Sequence, residues 1–379
     1  MRGWKWLTET PFSWRMAARV AIKAAALFFA CNLVFALTYP VPALGKISVY
    51  NWLVPGRERL PYGENTAAYN LSLNSVEAMF AAHRVSQPKA ADELRMFVIG
   101  DSSVWGILLE NRETLAGQLN ALNLQQDGRR VVAYNLGHPI LSVTKDLMLL
   151  DYAMQYQPDL IVWLVTLESL PYSDQLRPPL VANNALRVRD LIRRYRLPLH
   201  PNNPALVDAQ FIDYTLVGQR RALADWFRLQ LYGFAWAGTG IDQVIGDYTP
   251  RSSDFEADSS WNQFPEPTDI PATVLAFELI QAGYTAAGTV PIVLVNEPIY
   301  RADGMNSDLR YNAWYPQWAY DQYRDLLAQQ AALYDWTLID LWDAIAPAQF
   351  TDSPVHLTAE GSRQVAERIA AALPLTNPE

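Results

Sequence analysis

The chain is 379 residues long, half of them hydrophobic, with a formal net charge of −9, so it can bury one large domain or two ordinary ones and is not a disordered chain. The acidic balance leaves no basic face or stripe of the kind a nucleic-acid groove needs, so nucleic acid is excluded as an expected partner. A lone cysteine, Cys31, excludes an internal disulfide and a thiolate zinc cluster.

From Ala17 to Tyr39 the residues are apolar or small, interrupted only by Arg19, Lys23, Asn32 and Thr38. Twenty helical residues cover about 30 Å of hydrocarbon, so the stretch predicts one transmembrane helix over residues 17–39. A buried core helix fits poorly, because such helices are usually amphipathic and this one is apolar all round. Lys23 lies one turn inside, where its long stem carries the ammonium back to headgroup level. Arg2, Lys5, Arg15 and Arg19 precede the span while only Lys46 and Arg57 follow it closely, which places residues 1–16 in the cytoplasm and the rest outside the cell membrane. Between Leu37 and Leu44 no small-x-small cleavage site occurs, so a signal-anchor is expected rather than a cleaved signal peptide.

Residues 40–90 begin with proline-punctuated linker (Pro40, Pro42, Pro55, Pro61) and continue into a helical extension through Ser75–Arg84. Beyond residue 91 the pattern changes. Short β-favouring apolar runs recur at Met96–Ile99, Val131–Tyr134, Leu160–Thr166, Pro291–Val295 and Trp336–Leu341, with helical periodicity over Thr114–Leu122, Val143–Gln155 and Tyr320–Leu333. Strands that are continuously hydrophobic and alternate with helices predict an α/β class domain over 91–379. Its expected form is a three-layer α/β/α sandwich around a five-stranded parallel sheet. The interval of about 170–287 is too long for an ordinary loop and is expected to be an insertion with its own helices. It holds Leu186–Arg196, with five arginines, and an aromatic-rich stretch from Trp226 to Trp236. These read as a solvated helix face and a satellite core, or as a lid or membrane-proximal surface that shapes substrate access.

Two stretches carry chemistry. In Phe97-Val98-Ile99-Gly100-Asp101-Ser102 an apolar strand runs into a Gly-Asp-Ser turn, and active sites of open parallel sheets collect at the carboxyl ends of strands. Ser102 is there a candidate nucleophile, its own amide a candidate oxyanion donor, although Gly-Asp-Ser is also ordinary turn composition. Near the C-terminus, Asp352-Ser353-Pro354-Val355-His356-Leu357-Thr358 precedes the amphipathic Ser362–Leu373, with Thr358 as the helix cap. A serine hydroxyl is a weak nucleophile until a base takes its proton, and of His83, His138, His200 and His356 only the last has a carboxylate just upstream in a loop. Asp352 is then placed to hold its tautomer. His138 is a rival base, read as structural or substrate-contacting because Pro139 follows it. No Gly-x-Ser-x-Gly elbow, Walker loop or His-Glu-x-x-His helix occurs, so no cofactor and no metal is expected.

Strand-Gly-Asp-Ser-x-x-x-Gly together with Asp…His-Leu-Thr-x-x-Gly before the last helix resembles the SGNH/GDSL hydrolases, over roughly residues 94–374. The resemblance implies a flavodoxin-like SGNH fold, with Ser102 as nucleophile, His356 as base and Asp352 as orienting acid. It makes Gly137, in Tyr134-Asn135-Leu136-Gly137, an oxyanion-hole donor beside the amide of Ser102. Two departures stand out. Three residues separate Asp352 from His356, where the family has two, and the family's third-block asparagine is missing from Val165-Thr166-Leu167-Glu168. Asn296, at the end of the fourth apolar run, is a candidate substitute. The implied function is a serine esterase acting outside the membrane on O-acyl groups of cell-surface glycan or lipid. The alternatives are an O-acyltransferase to cell-surface polysaccharide working with a membrane-bound O-acyltransferase, and a catalytically degenerate binding domain.

Overall fold

In the computed structural model the described residues are 13–63, 69–243 and 246–376. Arg2 and Lys5, part of the charge asymmetry above, lie outside them. The central sheet contains β1 (Glu93–Ile99), β2 (Gln125–Gln126), β3 (Arg129–Asn135), β4 (Leu160–Val165), β5 (Ile292–Asn296) and β6 (Thr337–Asp340), in the order β2-β3-β1-β4-β5-β6. All pairings are parallel except β2 with β3. The five expected parallel strands are present, and the sixth is a two-residue antiparallel edge that hydrophobic patterning does not reveal, since both its residues are glutamine. It forms because Asp127 and Gly128 adopt left-handed turn conformations and return the chain onto Arg129–Arg130.

The helices are α1 (Trp14–Thr38), α2 (Val41–Gly45), α3 (Val49–Leu53), α4 (Val76–Ala82), α5 (Ser102–Trp105), α6 (Leu115–Ala121), α7 (Val143–Ala153), α8 (Pro179–Ala182), α9 (Ala185–Tyr195), α10 (Arg220–Thr239), α11 (Phe277–Ala287), α12 (Gln317–Tyr334) and α13 (Ala359–Ala372). Strand residues alternate between two cores. Leu94, Met96 and Val98 face α6 and α13, through Leu115, Leu119, Val365 and Ile369. Phe97, Ile99, Trp163 and Leu294 face the other layer, with Leu147, Leu150, Ile280 and Leu327 of α7, α11 and α12. In β1, β4 and β5 both strand faces are therefore dry, which is why those runs read as continuous rather than alternating, while the edge strand β6 stays partly exposed.

Two domain expectations change. The stretch after Pro40 is not linker: Tyr50, Leu60, Met79 and Phe80 are fully buried in the larger core. Proline spacing signalled turns, but Tyr50 and Leu60 in that stretch find cover, while Trp52 and Leu53 stay exposed. Helix α11, inside the interval assigned to the insertion, packs on α7 as part of the β4-to-β5 crossover. Helix α1 starts three residues earlier than predicted, capped by Ser13 Oγ accepting from Met16 N at 3.2 Å. It is the one described helix long and apolar enough to cross a membrane, with mean hydropathy 2.1.

Candidate active site

Strand β1 has β3 on one side and β4 on the other, so chain order reverses beside it and a crevice opens at its carboxyl end. There Ser102 starts α5, capped by Asp101, whose Oδ1 accepts from Ser103 N at 2.8 Å. A Cβ at Gly100 would lie 2.7 Å from Val104 Cγ2, so only glycine permits this tight return of the helix over the strand end. The short helix is clamped from the segment that follows the apolar helix. Trp105 Nε1 donates to Leu60 O at 2.8 Å, and Arg59 Nη1 donates to Gly106 O and Leu109 O at 3.0 and 3.1 Å.

His356 reaches this serine from the loop before α13. Its backbone carbonyl accepts from Thr351 N at 2.9 Å, and Thr358 Oγ1 caps α13 by accepting from Gly361 N at 3.1 Å, which fixes the loop from both ends. The Ser102 Oγ–H donates to His356 Nε2 at 2.8 Å, and His356 Nδ1–H donates to Asp352 Oδ1 at 2.8 Å. The extra residue between Asp352 and His356 is absorbed in the turn without breaking the contact. The hydrogen bond from His356 holds the Asp352 carboxyl below its usual value. A hydroxyl hydrogen-bonded to an imidazole that a carboxylate holds in one tautomer is an arrangement able to pass a proton away as the oxygen attacks a carbonyl.

Gly137 lies against α5: a Cβ there would come within 2.5 Å of Trp105 N, and flanking bonds from Leu136 N to Val98 O and His138 N to Gly100 O extend the strand pairing past the sheet edge. Its amide donates to Asn135 Oδ1 at 3.1 Å, while Asn135 Nδ2 donates to Val104 O at 2.8 Å. The Ser102 amide has no acceptor among the described residues. Asn296, the candidate substitute donor, has both ends of its side chain engaged within the fold. Its amide donates to Asp340 Oδ1 at 2.9 Å and its carbonyl accepts from Tyr323 OH at 3.0 Å, so it braces β5 against β6 and α12. His138 is also set aside from proton transfer: it is buried with Nδ1 3.0 Å from Pro139 O, and burial together with Lys145 lowers its pKa to about 3.

Sequence reasoning missed a buried ionic group under the Gly100–Ser102 turn. Lys145 Nζ donates to Gly100 O at 2.8 Å and to His138 O, and lies 2.9 Å from Asp146 Oδ1 as an ion pair. Glu297, 1 % exposed, accepts from Ser103 Oγ, and burial followed by the charge of Asp101 raises its carboxyl well above the ordinary value. The available signal was Lys145-Asp146 breaking the apolar run of α7. A cavity of about 210 Å³ lies against the outer side of the relay, lined by Arg251, Tyr300, Trp314 and Asp352.

No protein-family model matches the sequence, and no curated protein matches it. Solved structures similar in fold include a member of the lipolytic protein G-D-S-L family from Veillonella parvula DSM 2008, at 13% identity over 74% of this chain and 97% of that one, with TM-score 0.36. A lipase/acylhydrolase from Enterococcus faecalis matches at 14% identity over 75% and 99%, TM-score 0.38. A carbohydrate acetylesterase family member from Sinorhizobium meliloti matches at 13% over 74% and 98%, TM-score 0.31. At similarities this low, the chemistry of the site rests on its own side-chain geometry.

Proposed function

We propose that this chain is a serine esterase that works through an acyl-enzyme on Ser102, held at the outer face of the cell membrane by α1. The observation that carries the reading is the unbroken relay from Asp352 through His356 to Ser102, two hydrogen bonds of 2.8 Å of which the one to Ser102 joins residues 254 positions apart. His356 takes the Ser102 proton as Oγ attacks the ester carbonyl, then returns it to the leaving alkoxide; water repeats the cycle to release the acid. The free Ser102 amide faces the developing oxyanion, and Gly137 serves as second donor if its amide exchanges Asn135 Oδ1 for the anion. Preference for an O-acylated sugar over a simple lipid ester is supported by the cavity beside Asp352, whose wall holds the half-buried Trp314 ring and the Asn312 and Ser353 side chains.

A second reading, transfer of the acyl group to a polysaccharide hydroxyl, is favoured by α1, which keeps the relay beside any membrane-bound O-acyltransferase that delivers the acyl group. The discriminating experiment uses the full chain in nanodiscs. Hydrolysis of p-nitrophenyl acetate and labelling by a fluorophosphonate should both vanish in Ser102→Ala and hydrolysis in His356→Ala. Product ester on an added acetyl-acceptor oligosaccharide would select transfer. Folded wild-type protein that neither turns over nor labels would sink both and leave a degenerate binding domain.

A further inference from the structure

Between residues 211 and 239 the fold presents large apolar side chains to solvent beside α1. Phe211, Ile212 and Leu216 on the turn before α10, and Phe227 and Leu231 on α10 itself, are 62, 57, 40, 61 and 70 % exposed. Arg220, Phe227 and Leu231 recur at helical spacing and share one face, while Trp226 and Gln230 turn inward to bond Ile47 O and the amide of Val49. Exposed rings at this density are rare on a water-facing surface.

The same segment is joined to α1 below the helix end. Val217 N donates to Asn32 Oδ1 at 3.1 Å, and Tyr214 packs edge-on against Tyr39 with ring centroids 4.9 Å apart. Asn32 precedes Thr38 by six residues, about 9 Å along a helix axis. It is the one buried side chain of α1. Irregular backbone at that depth must satisfy its own donors. The amides of Asp213, Thr215, Val217, Gly218 and Gln219 have acceptors within the turn or on Asn32, and that of Leu216 has none among the described residues. With α1 spanning the bilayer, Tyr39 and Tyr214 at its outer end would fall where aromatic rings mark a membrane interface, with Asp213 adjacent in sequence and Arg220 and Arg228 exposed on the same segment.

We infer that the 211–231 segment is a second membrane-contacting element, an interfacial turn and helix bedded in the outer leaflet alongside α1. This rests on α1 spanning the bilayer, and adds that the domain lies against the lipid rather than standing clear of it. The leaflet is the occupant that continuity with α1 selects.

Nitroxide labels on the full chain in phosphatidylcholine–phosphatidylglycerol nanodiscs test it. One label goes on native Cys31; others go on Phe211→Cys, Phe227→Cys and Leu231→Cys in a Cys31→Ser background, with Leu186→Cys, 71 % exposed on α9, as the water-facing reference. The expected result is collision with oxygen exceeding collision with a nickel chelate at 211, 227 and 231, as at Cys31, and the reverse at 186. Labels at 211, 227 and 231 matching 186 while Cys31 stays in lipid would overturn the inference and leave the span intact. A water-accessible Cys31 would overturn both.

Discussion

Replacing Asp352 by asparagine removes one charge from the relay at nearly constant shape. As Ser102 attacks, His356 becomes a cation whose Nδ1 lies 2.8 Å from Asp352 Oδ1. Unit charges about 4 Å apart attract by about 1 kcal/mol in water and about 4 kcal/mol at an effective dielectric of 20. The Asp352 side chain is 32 % exposed, so the lost stabilisation falls between these limits, about 2–3 kcal/mol, or about 30- to 160-fold in kcat/KM. That is less than the roughly ten-thousandfold loss when a fully buried triad aspartate is neutralised, because water reaches this carboxylate. Because His356 holds the carboxyl of Asp352 below 3.8, the charge that the variant removes is fully present in the wild type at the assay pH of about 8. The assay is p-nitrophenyl acetate hydrolysis, with Ser102→Ala and His356→Ala giving the floor. A loss under about threefold, or one that reaches the floor, would refute the reasoning.

Gly137→Ala should cost at least about tenfold in kcat, because its Cβ meets the Trp105 backbone amide at 2.5 Å and α5 must shift Ser102; unchanged turnover would show that the loop yields instead. Lys145→Met should lower unfolding free energy by about 3–5 kcal/mol in urea melts at pH 8, since Asp146 and two carbonyls lose their cation in a dry site. Glu297→Gln should cost under about 1 kcal/mol, because burial and the Asp101 charge already disfavour the ionised carboxyl that the variant removes; a loss of several kcal/mol would refute this. Buried His83 and His138 both have pKa values lowered to about 3, so the unfolded chain binds protons that the folded chain refuses. Stability is full above about pH 6.5 and falls as pH drops toward 3, by up to about 1.4 kcal/mol per pH unit per histidine, read from the thermal midpoint; replacing either histidine should flatten the slope.

The parallel strands were legible because burial on both faces leaves continuous apolar runs such as Leu160–Val165. The relay was legible because each member sits at an element boundary, Ser102 after a strand and His356 before a capped helix, where composition changes abruptly. What stayed hidden depends on distant partners. Leu60 gave no sign that its carbonyl would hold the Trp105 indole, and Asn32 looked like a flaw in an apolar helix until Val217 supplied its partner. Asn296 stood at the right strand end, but nothing in the sequence told that Asp340 and Tyr323 would occupy its amide and carbonyl. Asn135 entered only as a neighbour of Gly137, with no sign that it ties the Gly137 turn to α5.

Only Tyr39 and Pro40 separate α1 from α2, and from there the chain passes through packed residues to Arg59 and Leu60, which grip the helix that begins with Ser102. On the anchored reading there is no slack leash between bilayer and serine. The height of the reactive hydroxyl above the lipid is then set by the fold, so the enzyme patrols a shell of fixed altitude. A polymer strand farther from the surface must be brought down to it.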